Sequence, residues 1–424
     1  MRPEDLASRR WFRAKHRAIG TVAAYDRAPL GGVDLGVIEV SYADGGEPDR
    51  YLVPTVDGTE PVDGDGAWTA IARAMAADVT VRGGRSAFHA RSMPPLSELL
   101  PSPDVAVHAL AERSLGVEQS NTSVALGDRL MLKAYRLLEP GENPDVEVSA
   151  FLTDAGFADT PAVAGAMSWA PDDGEPAAAA MLQAYVPSTG DAWSSMLERV
   201  HADPSSAVEM ASRIGDVTAR LHAALASRPS PAFPARPAMA EEVASWQATA
   251  ERQLEAAASV PRVEVRDRLS SLAPRLRADL ADAFGASAAT IVSRIHGDYH
   301  LGQLLARPDG GFSVIDFEGE PARPLAERRA PGSPLRDVAG MLRSLDYAAR
   351  TVERAARAFD ADGWLDRARE AFLDAYGGIG PAEARLLAAF EIEKACYEIR
   401  YEASNRPDWT WLPLAAVERL AAAG

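Results

Sequence analysis

Asp298, Gln303 and Asp316 carry the chemistry that this chain offers most plainly: acid, amide, acid, spread over nineteen positions. The first two stand in His296-Gly297-Asp298-Tyr299-His300-Leu301-Gly302-Gln303. The third ends the apolar run Phe312-Ser313-Val314-Ile315 and opens Asp316-Phe317-Glu318. Between them lies Arg307-Pro308-Asp309-Gly310-Gly311, and Pro-Asp-Gly-Gly between two apolar runs is a hairpin signal. A hairpin folds the chain back on itself, so the three side chains are expected to meet at its mouth. A carboxylate that takes a hydroxyl proton, beside oxygen ligands for a magnesium ion, is the equipment of phosphoryl transfer. Gln303 and Asp316 are therefore the expected Mg²⁺ ligands, Asp298 the expected base and ATP the expected phosphoryl donor.

Protein kinases deploy the same roles in the same order, as His-Arg-Asp, a downstream Asn, then Asp-Phe-Gly. Here the order holds while the letters differ, and His296 falls in the supporting position. A second possibility is a metal-dependent phosphohydrolase using His296, Asp298 and His300, because histidines four apart resemble zinc sites. Only seven histidines and one cysteine are present to complete such a site, and Asp-Phe-Glu has no part in it.

The elements that must position these groups can be followed along the chain. Strand-like runs at 19–25, 33–40 and 51–53 and a short helix at 67–77 make residues 1–105 an expected separate unit, closed by Pro94, Pro95, Pro101 and Pro103. Residues 106–190 are expected to form a β-rich lobe. Gly127-Asp128 marks a hairpin there, and Leu130–Tyr135 follows as a strand with one lysine, Lys133, among apolar neighbours. In a kinase-type lobe that is the place of the phosphate-binding lysine. Its expected acid partner is Glu147, in the first turn of a helix over 146–155, where a carboxylate also suits the helix dipole. Ser120, Asn121 and Ser123 offer small polar groups for the nucleotide phosphates. Gln183, Tyr185 and Val186 end a second hairpin and are the expected hinge for adenine. Residues 191–424 are expected to be helical, with the 3-and-4 apolar spacing of 208–225 as the clearest case, and with Pro274 kinking or splitting the helix over 263–284. His222 is expected to be structural. Asp337, at the start of another helix, caps that helix or braces the catalytic loop.

HGDYHLGQLL, IDFEGEPARPLAERR and SPLRDVAGMLRSLDYAA resemble the aminoglycoside phosphotransferase-like kinases, and within them the maltokinase and bacterial glucosamine kinase group. The resemblance is long over 290–350 and returns at 397–414. It implies an α+β, two-lobed, eukaryotic-protein-kinase-like fold. Its parts are a β-rich nucleotide lobe (106–190), a helical catalytic and sugar-binding lobe (191–424) and an additional N-terminal cap domain (1–105). It also implies an ATP:sugar phosphotransferase with Mg²⁺. Asp298 and His300 then face the sugar. Glu398, Glu402, Asp408 and Trp409, in FEIEKACYEIRYEASNRPDWTWLPL, form the expected sugar wall. These acids suit an ammonium group, and Asp408-Trp409-Thr410-Trp411 departs from a maltokinase ending, so glucosamine is the expected acceptor, giving glucosamine 6-phosphate. The alternatives are maltose giving maltose 1-phosphate and a non-catalytic kinase-like binding module.

Composition bounds the rest. A net charge of −17 argues against a nucleic-acid partner. No apolar run approaches the length of a membrane span, and the N-terminal residues lack a secretory apolar core. One cysteine, Cys396, excludes an internal disulfide and suits a reducing cytoplasm. The expectation is a cytoplasmic monomer or homodimer acting on a small-molecule sugar.

Overall fold

The computed structural model describes residues 2–102, 106–116, 120–286, 290–356 and 358–423. The chain separates into two compact units, Met1–Pro187 and Ser188–Gly424.

The first unit carries two antiparallel sheets. β1 (Ile19–Leu30), β2 (Val33–Tyr42) and β3 (Asp49–Thr55) form a meander. The second sheet has the order β4-β5-β9-β10-β8-β7-β6. Its strands are β4 (Thr80–Arg82), β5 (Ser86–Ser92), β6 (Glu112–Ser114), β7 (Asn121–Leu126), β8 (Leu130–Tyr135), β9 (Val163–Pro171) and β10 (Ala177–Ala184). It therefore runs across the boundary expected near residue 105. β4 and β5, from the N-terminal segment, extend the sheet through β9. A single core also joins the segments: Leu35, Trp68, Ile71 and Phe88 pack with Leu132, Trp169 and Leu182. Alternating apolar residues on both sheets supply its faces, and pairing between strands far apart in sequence closes it. Four helices complete the unit among the described residues: α1 (Pro3–Ala7), α2 (Ala67–Ala76), α3 (Pro95–Leu99) and α4 (Pro144–Asp154).

The second unit is mainly helical. Its elements are α5 (Ala192–Ala202), α6 (Pro204–Ala226), α7 (Ala240–Ala257), α8 (Val263–Gly285), α9 (Leu325–Arg329), α10 (Leu335–Ala355), α11 (Ala361–Tyr376), α12 (Pro381–Asn405) and α13 (Trp411–Ala423). α6 buries the apolar stripe its spacing predicts, through Ala207, Met210, Ala211, Ile214, Val217, Leu221 and Leu225. Pro274 does not split α8. Leu269, Ala273, Leu276 and Leu280 stay buried on both sides of it, and burial of that face outweighs the one backbone hydrogen bond that proline removes. Two small sheets lie among the helices. β11 (Gly190–Asp191) pairs with β14 (Leu304–Ala306), which pairs in turn with β15 (Phe312–Val314), while β12 (Arg236–Pro237) pairs with β13 (Ile291–Val292).

Candidate active site

β14 and β15 form the hairpin expected from the turn residues. Leu304 pairs with Val314 and Ala306 with Phe312. Asp309 Oδ1 accepts the Gly311 N–H at 2.8 Å, and Gly310 takes φ +82°, which its missing Cβ permits. At the open end Gln303 Nε2 donates to Asp316 Oδ2 at 3.4 Å. Asp316 holds φ +67°, a left-handed backbone rare outside glycine and concentrated at functional positions. Glu318, which is buried, offers a carboxylate oxygen within 4.8 Å of one from Asp316. Amide and carboxylate oxygens in this array are the hard donors that Mg²⁺ prefers.

The loop that carries Asp298 is braced from three directions. Asp337, at the start of α10, accepts the His296 N–H at 2.8 Å and the Gly297 N–H at 2.9 Å. His222 Nε2 lies 3.1 Å from Asp337 Oδ2; a carboxylate only accepts, so the proton sits on Nε2. The other ring nitrogen, Nδ1, is 3.0 Å from the Tyr376 hydroxyl. Burial works to raise the Asp337 carboxyl, but the hydrogen bond and charge of His222, the charge of His296 and the Gly297 N–H hold its pKa below the usual value. Asp337 is thus both a residue of the helix's first turn and a brace. His222 is structural in the sense that it holds the brace.

The second tie runs from His296 Nε2 to the Ile315 carbonyl at 3.0 Å, joining the loop to the residue before Asp316. The third is packing: Tyr299 is buried with its hydroxyl 2.9 Å from Thr218 Oγ1, and Gly340 of α10 passes so close that a Cβ would lie 2.5 Å from the Tyr299 carbonyl oxygen. His300 caps the short turn Leu301–Gln303 by accepting the Gly302 N–H on Nδ1, and burial lowers its pKa.

Asp298 opens on a cleft of about 290 Å³ that lies wholly within the second unit. Lys394 of α12 reaches Asp298 Oδ1 at 3.4 Å and Glu320 Oε1 at 2.6 Å. Arg323 takes the other Glu320 oxygen at 2.6 Å. Burial would raise the Glu320 carboxyl, yet Lys394 and Arg323 bring it down to about 2. Burial would likewise lower Lys394, but Glu320 and then Asp298 raise it, so the ammonium persists beside the expected base.

In the first unit, Lys133 is buried on β8, directly across from Ser123 on β7, so their side chains share a face. Asp145 pairs with it at 2.9 Å and also accepts from the Tyr135 hydroxyl at 2.8 Å. Glu147 was the expected partner; Asp145 stands two residues earlier in the first turn of α4, where Asn143 caps the Asp145 and Val146 N–H groups. Ser120 and Asn121 lead into β7, with Asn121 opposite Tyr135. Gln183 is paired on both sides, with Met131 and Val163, in the middle of the sheet. The Tyr185 N–H already donates to the Arg129 carbonyl at 2.9 Å, which removes it as a donor to adenine. Val186 follows just beyond the strand.

A model of the phosphotransferase enzyme family matches residues 113–387, more than half of the chain. The chain belongs to the phosphotransferase enzyme family. A glucosamine kinase of Streptacidiphilus jiangxiensis is 35% identical over 324 residues, 71% of this chain and 72% of that protein. A second, from Mycolicibacterium smegmatis (strain ATCC 700084 / mc(2)155), is 29% identical over 332 residues, 74% and 80% of the two chains. A solved glucosamine kinase in complex with glucosamine, ADP and inorganic phosphate is also similar. Its TM-score is 0.74 at 29% identity, over 99% of this chain and 97% of that one. The α+β, kinase-like fold expected from the motifs is the fold of this phosphotransferase.

The residues of the expected sugar wall stand apart from the Asp298 cleft. Glu398 is gripped by Arg343 at 2.7 and 2.9 Å, and burial raises its pKa. Glu402 is buried under Arg406 and the Tyr347 hydroxyl. Trp409 lies against the guanidinium groups of Arg354 and Arg406, and Asp408 is exposed in the turn after α12. None of the four is among the residues lining the Asp298 cleft. The part of α12 that does line it comes one turn earlier, at Glu393, Lys394 and Tyr397, opposite Trp246, Arg323 and Arg336. Glu320 was within reach of sequence reasoning, four residues after Asp316. Glu393 carried no local signal, because its partners are distant in sequence.

Proposed function

We propose that this phosphotransferase is an ATP- and Mg²⁺-dependent sugar kinase that moves the γ-phosphoryl group of ATP to the 6-hydroxyl of glucosamine. One observation carries this reading: the braced carboxylate Asp298 opens on a cleft walled by ion-paired acids and aromatic rings. The resemblance to glucosamine kinases over about seven-tenths of the chain supports the choice of sugar.

The sugar hydroxyl hydrogen-bonds to Asp298, which takes its proton as the hydroxyl oxygen bonds to the γ-phosphorus and the bond from phosphorus to the ADP oxygen breaks. Lys394 keeps a positive charge 3.4 Å from Asp298 Oδ1. Gln303, Asp316 and Glu318 are the residues that fit a Mg²⁺ ion, which when bound neutralises charge on the triphosphate. Lys133, held by Asp145, engages nucleotide phosphates, with Ser120, Asn121 and Ser123 near its strand and Val186 as the hinge contact. His300 orients the loop beside the sugar. Trp246, Tyr397, Glu320 and Glu393 replace the C-terminal acids as the sugar wall.

Within the two compact units we keep a three-part division of labour: a cap (1–105), a nucleotide lobe (106–190) and a sugar lobe (191–424). The protein is proposed to act in the cytoplasm as a monomer or homodimer, without nucleic acid or membrane. Among the described residues no helix is long and apolar enough to cross a membrane.

ATP consumption with glucosamine, glucose, maltose and an aminoglycoside side by side tests the assignment, with Asp298→Asn as the control. Glucosamine is expected to turn over best. The variant should lose about 10²- to 10⁴-fold in rate while still binding nucleotide. Equal or better use of maltose, or full activity without the carboxylate, refutes it.

A further inference from the structure

The main chain around Asp298 is braced from several sides, but those braces do not reach its carboxylate. Asp337 holds the backbone N–H groups of His296 and Gly297, and His296 and Tyr299 anchor their own side chains. Beyond its Cα the Asp298 side chain still turns on two torsions, and it is 23% exposed where it lines the cleft. Among the described residues its carboxylate takes a hydrogen bond from one group, Lys394 Nζ, at 3.4 Å from Oδ1; Oδ2 takes none. His300, two residues along, is committed elsewhere. Its Nδ1 accepts the Gly302 N–H at 3.0 Å, and burial lowers its pKa.

A lysine ends a long, flexible stem, so it fixes a carboxylate only if it is fixed in turn. Here it is. Lys394 Nζ donates to Glu320 Oε1 at 2.6 Å, a charge-assisted bond. The other Glu320 oxygen is taken by Arg323, also at 2.6 Å. The ammonium also lies 5.1 Å from the ring centre of Tyr397, three residues on along the same face of α12. Arg323, Glu320, Lys394 and Asp298 thus form a row of alternating charge that ends on the base. The two oxygens at the end of this row are not equivalent. Oδ1 already holds a donor, while Oδ2 keeps its full capacity to accept from an incoming hydroxyl.

We propose that Lys394 is the positioning residue of the catalytic base: anchored on Glu320, it holds Asp298 Oδ1 and leaves Oδ2 as the oxygen that takes the proton of the sugar hydroxyl. This inference rests on the sugar-kinase reading and adds to it the group that sets the base's orientation. The helix that walls the cleft thereby also aims the chemistry, from a point 96 positions along the chain.

The test measures kcat, the KM values for glucosamine and ATP, and glucosamine binding by calorimetry in the unmodified protein, Lys394→Met, Asp298→Asn and the double variant. Methionine keeps most of the stem and removes the charged tip. In Lys394→Met kcat is expected to fall about 10- to 100-fold, the size of effect that a small misplacement of a reacting group produces, with both KM values and the glucosamine affinity unmoved. In the Asp298→Asn background the same change should remove almost nothing more, because groups that act as a unit do not add. Lys394→Arg, which keeps a cation there, should restore part of kcat. A loss carried by the glucosamine KM and affinity overturns the inference, since Lys394 would then be a sugar contact. A full further loss in the Asp298→Asn background overturns it as well. Crystal structures of the unmodified protein and Lys394→Met give a readout independent of turnover: the Asp298 carboxylate should leave its place in the variant, and an unmoved carboxylate overturns the inference. Should Lys394→Met fail to fold, the unmodified protein crystallised with glucosamine decides. The sugar hydroxyl is expected at Oδ2 with Lys394 still on Oδ1, and the reverse arrangement overturns the inference. Failure of the unmodified protein to phosphorylate any sugar counts against the kinase reading instead, and the Asp298 position in Lys394→Met then still reports on the positioning.

Discussion

Asp337→Asn is the sharpest probe of how the catalytic loop is held. The carboxylate is 1% exposed and accepts three donors: His296 N–H, Gly297 N–H and His222 Nε2–H, at 2.8, 2.9 and 3.1 Å. Asparagine fills the same space, but its NH₂ cannot accept. At least one buried donor then loses its partner, and the surviving bonds lose their charge assistance. Breaking one side of a buried charged network amounts to about 3–5 kcal/mol of stability. The loop's displacement should also lower kcat about 10²-fold, because small misplacements of a reacting group have effects of that size. The folded pKa of Asp337 is depressed, so its stabilisation is fully present above the unfolded carboxylate value of about 3.9 and fades as pH falls through the lower folded value. Urea unfolding and steady-state rates at pH 7, with unfolding repeated toward pH 3, make the comparison. The gap between the two proteins should be widest near neutrality and narrow in acid. A stability loss below about 1 kcal/mol with unchanged kcat would refute the bracing role.

Three further outcomes are expected. Gly340→Ala pushes a methyl group to 2.5 Å from the Tyr299 carbonyl oxygen and should lower stability by about 1–3 kcal/mol and kcat with it; a melting temperature equal to that of the unmodified protein would contradict the close approach. Lys133→Met should weaken ATP binding and cut turnover about 10²-fold or more, leaving sugar binding intact, as nucleotide and sugar titrations would register. Chelating divalent cations should stop turnover and added Mg²⁺ restore it; activity that survives chelation would remove Gln303, Asp316 and Glu318 from their proposed task.

The hairpin, with Gln303 and Asp316 meeting at its open end, was legible because turn chemistry is local: Pro308-Asp309-Gly310-Gly311 specifies its own geometry. Lys133 was legible for a similar reason, as a charge in an apolar strand needs an explanation wherever it occurs. Asp145, which pairs with it at 2.9 Å, carried no signal of its own, since Asp145 and Glu147 share the first turn of α4. The expected sugar wall stands apart from the Asp298 cleft for a deeper reason. α12 presents acids over several turns, and which of them remain available depends on arginines elsewhere in the fold. Arg343 claims Glu398 from 55 positions away and Arg369 claims Glu391 from 22. The seven-stranded sheet poses the same difficulty, because the pairing of β5 with β9 joins segments on either side of an expected boundary.

Asp316 carries two independent demands at one position. In the proposed reaction its oxygen serves a cation, while its backbone sits at φ +67°, where branched and bulky side chains are strained. Glycine relieves the backbone but discards the oxygen, glutamate keeps a carboxylate but tolerates that conformation poorly, and asparagine keeps both the conformation and an oxygen at the loss of charge. Among these three, asparagine is therefore the replacement through which a drifting lineage could pass at this site while keeping both the backbone conformation and an oxygen.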